Sequence, residues 1–239
     1  MAAMRKRRTP QAHSTEKSPD QTSLSDVAYR AVLKALFERK LPAGAFVSQS
    51  DLVELLEIPI QPLRDALRVL QSEGVVTIHA RTGIQFLNPD LELARSTYQF
   101  RSIIERAAVR RFAETGDADT IKQLLDGHNE LIQTIEQESS TAGGISTKSR
   151  ERVETLDDQL HSNLIQSLKN PLVETTARRL KNYVTLIRLD RLTTAPLALR
   201  TLREHVEVLE ACRDRDANKA ENALSSHFQA ALNRILGMC

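Results

Sequence analysis

Apolar residues recur at three- and four-residue intervals along most of the chain, so the pattern predicts helices with one buried stripe each. The first is SLSDVAYRAVLKALFERK (23–40), with Val27, Val32, Leu33, Leu36 and Phe37 on one face and Ser23 or Ser25 as the cap. Pro42 and Gly44 then break the period with turn chemistry. SQSDLVELLE (48–57) follows as a short helix with Leu52, Leu55 and Leu56 inward. IPIQPLRDALRVLQSEG (58–74) is a third: Pro62 suits the first turn, Leu63, Leu67 and Leu70 form the stripe, and Gly74 suits the C′ position. The period then changes from helical to alternating in VVTIHARTGIQFL (75–87), which predicts a small hairpin turning at Arg81-Thr82-Gly83. Three helices followed by a hairpin is the element order of a winged helix-turn-helix.

After Asn88-Pro89 the helical period returns and persists to the end. Helices are expected near 90–114, 117–138, 149–169, 171–192, 198–213 and 216–237. The longest loop falls on ESSTAGGISTKS (138–149), and Thr194-Ala195-Pro196 reads as a short connection. The expected fold is therefore mainly α. A disordered basic tail (1–20) precedes a winged helix-turn-helix (21–88), and an antiparallel bundle of about six helices (89–239) follows.

Composition narrows the function. With 41% hydrophobic and 27% charged residues, 4% aromatic, no Trp and eight Gly, the chain has a soluble, helix-bundle composition. A net charge of +2 means that any nucleic-acid surface must be local. No run reaches the roughly 20 apolar residues of a membrane span, and the basic N-terminus lacks the apolar stretch of a secretory signal. Two thiols, Cys212 and Cys239, in a chain of 239 residues fit a reducing, cytoplasmic compartment. Arg5 to Arg8 could touch DNA phosphates, although a solvated terminus has the same composition.

The outward face of the third helix carries Gln61, Arg64, Arg68 and Gln71. Arg can bridge O6 and N7 of guanine with two hydrogen bonds, and Gln can do the same for adenine. Alone, these would equally be solvated helix residues; behind a helix and in front of a wing they read as a recognition face. LPAGAFVSQSDLVELLEIPIQPLRDALRVLQSEGVVTIHARTGIQF resembles the winged-helix domain of the GntR family of bacterial transcription regulators. The resemblance lies in the Pro/Gly turn, the Pro-Leu-Arg-Asp-Ala-Leu core and the Glu-Gly before the wing, and it makes Arg64 the DNA-contacting arginine. The chain departs from the family at Pro59-Ile60, where Ser-Arg is usual, and at Ser50, where some members carry a basic residue. His79 and Arg81, in or near the wing tip, are the residues placed to compensate in the minor groove.

In the second half, LDDQLHSNLIQSLKNP (156–171) sets Asp157 and His161 at i, i+4 on one helix face, a spacing shared by metal sites and ordinary polar patches. FRSIIERAAVRRFAE, DDQLHSNLIQSLKNP and REHVEVLEACRDRDANKAENALSSHF resemble the FCD-type ligand-binding domain of the FadR-like branch of GntR regulators. That resemblance implies a divalent cation held by Asp157, His161, His205 and His227, and a pocket arginine at Arg101. The residue pattern agrees. His205 shares a stripe with Leu202, Val206 and Leu209, and His227 with Ala220, Ala223, Leu224 and Ala231, so three imidazoles point into one interior. Asp158 is the second choice for the carboxylate. Imidazole with carboxylate suits Zn²⁺ first, then Ni²⁺, Mn²⁺ or Fe²⁺, rather than Ca²⁺. His13, His79 and His128 fall outside this arrangement. Glu105 is expected to pair with Arg101 within the helix, and Arg188 is either a pocket residue or a surface ion pair.

The expectation is a homodimeric, metabolite-responsive regulator. It would bind a palindromic operator as a dimer and take a metal and a small carboxylate-bearing effector in its bundle, with repression relieved by ligand on family analogy. Two other readings stay open: a metal-dependent hydrolase, with Glu204 beside His205 as base, and a constitutive DNA binder with a structural metal.

Overall fold

The computed structural model describes residues 23–142, 144–189 and 193–237. The expected basic tail, with Arg5 to Arg8 and His13, lies outside the described residues, as does Cys239. Helix α1 (Leu24–Phe37) starts at Ser23, whose hydroxyl accepts from the Asp26 amide while the Asp26 carboxylate accepts from the Ser23 amide. Its inner face is Ala28, Val32, Leu33, Ala35 and Leu36, whereas Val27, expected inward, is exposed. Strand β1 (Phe46–Val47), helix α2 (Gln49–Leu56), helix α3 (Ile60–Ser72), and strands β2 (Val76–His79) and β3 (Gly83–Phe86) complete the N-terminal part. Only Leu52 of α2 is fully buried; Leu55 faces out.

The hairpin acquires a third strand that the pattern does not announce. The sheet order is β1-β3-β2, all antiparallel, with Phe46 opposite Gln85 and Val76 opposite Phe86. Two residues are too few to carry an alternating pattern, so β1 exists through pairing rather than through local preference. Gly74, after α3, has φ +76°, the left-handed conformation that releases a helix into a strand. This three-helix, three-strand unit closes on Val32, Leu36, Leu52, Leu63, Leu67, Leu70, Val75, Ile84 and Phe86.

The bundle consists of α4 (Leu91–Thr115), α5 (Ala118–Ala142), α6 (Thr147–Ser167), α7 (Pro171–Arg188), α8 (Ala195–Arg213) and α9 (Ala217–Leu236). Three boundaries differ by more than two residues from expectation, one of them the end of α7, at Arg188 rather than 192. The loop expected at 138–149 is largely helical: α5 runs on to Ala142, where Ser140 and Thr141 return their hydroxyls to the Gln137 carbonyl. Glu138 then accepts from the Ser146 amide and hydroxyl and from Ser149, which fixes the start of α6. Helix α8 begins at Ala195 rather than 198, because Pro196 falls in the first turn, where no amide is required of it. Core packing sets α4 against α9 and α6, and α5 against α8.

Helix α7 belongs to the bundle yet also covers the winged helix. Leu186 is buried in the N-terminal core, with Tyr183 and Leu189 packed beside it. The Asn182 amide donates to the Tyr29 hydroxyl (3.1 Å), which donates to Glu73 (2.7 Å), and the Tyr183 hydroxyl donates to the Glu73 carbonyl. Burial and the Glu73 carboxylate push the Tyr29 hydroxyl up to about 12, so it remains a donor at neutral pH. None of the described helices is long and apolar enough to cross a membrane.

Candidate metal centre and DNA-facing surface

His161 on α6, His205 on α8 and His227 on α9 meet inside the bundle, with ligating atoms within 4.8 Å of one another and all three residues buried. Asp157, one turn before His161, brings Oδ1 to 3.8 Å from His161 Nε2 and 3.7 Å from His205 Nε2. The amphipathic stripe of each helix drives its histidine inward. Leu156, Leu160 and Leu164 do so on α6, Leu202 and Leu209 on α8, Leu224 and Ala231 on α9.

Each imidazole is held by its other nitrogen. Glu105 Oε2 accepts from His161 Nδ1 at 2.5 Å, and Glu204 Oε2 accepts from His227 Nδ1 at 2.8 Å. His205 Nδ1 lies 3.3 Å from His128 Nε2, while His128 Nδ1 donates to the Leu124 carbonyl at 2.7 Å. A carbonyl can only accept, so the His128 proton sits on Nδ1, its Nε2 carries a lone pair, and His205 Nδ1–H is the donor. His161, His205 and His227 are thereby held as Nδ1–H tautomers with a bare Nε2. Those three Nε2 atoms and Asp157 Oδ1 are buried and have no hydrogen-bond partner. Four unsatisfied acceptors facing one point is the arrangement a cation satisfies. The donor set of three imidazoles and a carboxylate fits a transition-metal dication.

Three carboxylate–arginine pairs surround the cluster. Arg101 Nε donates to Glu105 at 2.8 Å, Arg188 Nη1 to Asp157 at 3.2 Å, and Arg234 to both oxygens of Glu204 at 2.7 and 2.9 Å. Burial would raise the Glu105 carboxyl, but Arg101 and His161 outweigh it and hold it at about 2. Burial likewise opposes Asp157, yet Arg188, then His161 and His205, keep it well below the usual carboxylate range. Glu204, against burial, is held at about 2 by its hydrogen bonds to His227 and Arg234. His205 is driven well below its ordinary value by burial and then by neighbouring His227, and burial also lowers His227 and His128. The result is ionised carboxylates beside the neutral imidazoles of His128, His205 and His227.

The histidine set was legible in the chain, but its supports were only partly so. His128, expected to stand apart, is completely buried and orients His205. Its signal was available: it lies four residues after Leu124 and seven before Ile135, on the buried stripe of α5. Glu105 pairs with Arg101 as expected and also reaches His161, while Glu204 is engaged by His227 and Arg234. Asp158 turns outward to Lys181 at 2.5 Å. Arg188 is not a surface ion pair; it braces Asp157 and donates to the Tyr98 hydroxyl at 3.0 Å.

A cavity of about 1060 Å³ opens beside the cluster, lined by Arg101, Asp157, His161, Arg188, Ile104 and Ile165 among others. Arg101 stacks its guanidinium between Phe228 (5.0 Å) and Tyr98 (5.6 Å), and its Nη1 is buried without a partner.

In the winged-helix unit, Gln61, Arg64 and Arg68 are exposed on α3, which buries Leu63, Leu67 and Leu70. Arg64 Nε donates to Gln49 of α2 at 3.0 Å, which leaves its terminal nitrogens unused by that bond. Gln61 and Arg68 both lean on Asp65, at 3.4 and 3.3 Å. In the wing, His79 packs on Phe46 (5.6 Å between ring centres) and shares a hydrogen bond with Gln85. Arg81 sits at the exposed tip with φ +67°.

Comparison with known proteins gives a consistent result. The FCD domain family matches residues 96–230, more than half the chain. The HTH-type transcriptional repressor RspR of Escherichia coli K12 is 24% identical over 215 residues, covering 90% of both chains. Among solved structures, E. coli McbR/YncC superposes with TM-score 0.73 at 15% identity over 91% of this chain and 99% of its own. A protein described as a GntR transcriptional regulator from Rhodococcus sp. RHA1 gives 0.70 at 21% identity over 90% and 99%. The chain belongs to the FCD domain family, carried behind a winged helix as in the GntR-type transcription regulators.

Proposed function

We propose that this regulator senses a small carboxylate through a divalent metal held by Asp157, His161, His205 and His227. The observation that carries the reading is the convergence of three bare Nε2 atoms and Asp157 Oδ1, all buried and unpartnered, beside an unpartnered Arg101 Nη1. Zn²⁺ is the first candidate, with Ni²⁺, Mn²⁺ and Fe²⁺ accommodated by the same donors. A bound dication would supply Lewis-acid coordination positions to a carboxylate oxygen. Arg101 would bind the same carboxylate group from the cavity wall, and the aliphatic lining at Ile104 and Ile165 would take the effector's carbon frame.

The DNA-facing residues in this reading are Gln61, Arg64 and Arg68 on α3, with His79 and Arg81 in the wing. The partner is a palindromic operator bound by a homodimer, because two-fold DNA is matched by two-fold protein. Repression relieved by the effector is the expected direction.

A sensor fits better than a hydrolase. Glu105 and Glu204 are each committed to a histidine and an arginine, and both are held at about 2, far from the range of a general base at neutral pH. The test is metal analysis of the purified protein together with operator binding across a panel of mono- and dicarboxylates. Metal-dependent release by one carboxylate supports the reading. Operator binding indifferent to metal and to the whole panel leaves a constitutive binder.

A further inference from the structure

The recognition helix exposes two apolar side chains, Ile60 and Val69, and Ile60 lies at its N-terminal end. Ile60, the first residue of α3, is 40% exposed, whereas Ile58 two residues earlier packs against the winged-helix core. Ile60, Arg64 and Arg68 follow one another at four-residue intervals, so their Cβ atoms line one stripe of the helix. The row drifts round the helix, and Arg68 lies farthest from the buried stripe. Ile60, three and seven residues before Leu63 and Leu67, extends that buried stripe beyond the core and is left exposed there. Ile60 therefore stands one turn ahead of Arg64, at the helix end that penetrates deepest when a helix-turn-helix docks in the major groove. Its neighbours are polar and already occupied: Arg64 is anchored by Gln49, and Gln61 leans on Asp65.

We infer that Ile60 reads the C5-methyl group of a thymine in the operator half-site. The inference rests on α3 being the helix that enters the groove. A branched hydrocarbon can neither donate nor accept, so phosphates and the polar base edges offer it nothing. The thymine methyl is the apolar group that a base pair displays in the major groove. Ile is also β-branched and therefore stiff, which presents its methyl groups at a defined position from the helix start. A short apolar side chain at the start of the helix moves specificity at one base step toward thymine.

The test uses the full-length protein. Half-sites are enriched from a random duplex pool, and each thymine of the enriched sequence is replaced singly by deoxyuridine, which removes only the methyl group. Wild type should lose about three- to fivefold in affinity at one thymine per half-site, the size of burying one methyl. Ile60→Ala should be indifferent to that replacement while Arg64→Ala remains sensitive to it. Deoxyuridine that is neutral everywhere for wild type, equally costly to Ile60→Ala, or an enriched half-site without thymine overturns the assignment. Failure to enrich any duplex overturns the recognition-helix reading itself, and the Ile60 assignment with it.

Discussion

His128 Nε2 stands 3.3 Å from His205 Nδ1, and this contact between two buried imidazoles decides which nitrogen of His205 is bare. The Leu124 carbonyl fixes the His128 proton, His128 fixes the His205 proton, and Nε2 of His205 is left facing Asp157. Groups that orient a ligand in this way typically contribute 10- to 100-fold to metal affinity. His128→Phe should therefore weaken Zn²⁺ binding by about that factor without abolishing it. Zinc titration of the apo protein measures this, and an unchanged affinity would make His128 a bystander.

Loss of a ligand is a different event from loss of an orienter. His205→Ala and His227→Ala lie far from Asp157 and His161 in the chain, yet each should remove the same metal signal. Metal binding only the folded state at a hundredfold excess over its dissociation constant stabilises by about 2.7 kcal/mol. Chelator should thus lower the melting temperature of wild type and leave that of both variants unchanged. A full equivalent of metal retained by His205→Ala would return the cluster to an ordinary polar core.

On the DNA side, Arg64→Ala should cost about 1–3 kcal/mol of operator binding with the fold intact. Gln49→Ala should give a smaller loss of the same kind, since it frees the Arg64 guanidinium without deleting it. Fluorescence anisotropy on wild-type and variant proteins at fixed salt separates the two. Equal affinity of Arg64→Ala and wild type would remove Arg64 from the reading face.

Gly74 is constrained twice. Its φ of +76° disfavours any side chain, and a Cβ there would stand 2.5 Å from the Tyr183 hydroxyl. Gly74→Ala should destabilise by about 1–2 kcal/mol from the backbone alone, and more through the displaced tyrosine. Adding Tyr183→Phe should recover the second part and leave the first. Urea unfolding of the single and double variants reads the difference; full recovery in the double variant would show that the backbone conformation costs nothing.

The elements were legible where one periodic stripe decides them: α3, α4, α6 and α9 lie within two residues of their expected ends. What resisted were features made by distant pairing. Strand β1 is two residues that need β3, and the continuation of α5 to Ala142 depends on hydroxyl-to-carbonyl bonds in a stretch composed like a loop. In the site, stripe positions located three histidines because burial of an imidazole is a local property of its helix. Their partners were not local. Glu105 is 56 residues from His161, and His128 is 77 from His205, so only the packed bundle shows which carboxylate or imidazole serves which ligand. Arg188 was ambiguous for the same reason, since its role depends on α6 lying alongside α7.

Helix α7 holds Asp157 through Arg188 at one end and grips Glu73 and Tyr29 of the winged helix through Tyr183 and Asn182. One helix thus touches both the histidine cluster and the winged helix, and if effector and operator bind as proposed, thermodynamics forbids the influence from running in one direction only. By whatever factor an effector weakens the protein's hold on its operator, the operator must weaken its hold on the effector by the same factor. A molecule seated on DNA would answer to a higher effector concentration than one free in solution. The dose at which the regulated promoter responds would therefore be set by the DNA-bound form, and would lie above the dissociation constant measured on the isolated protein.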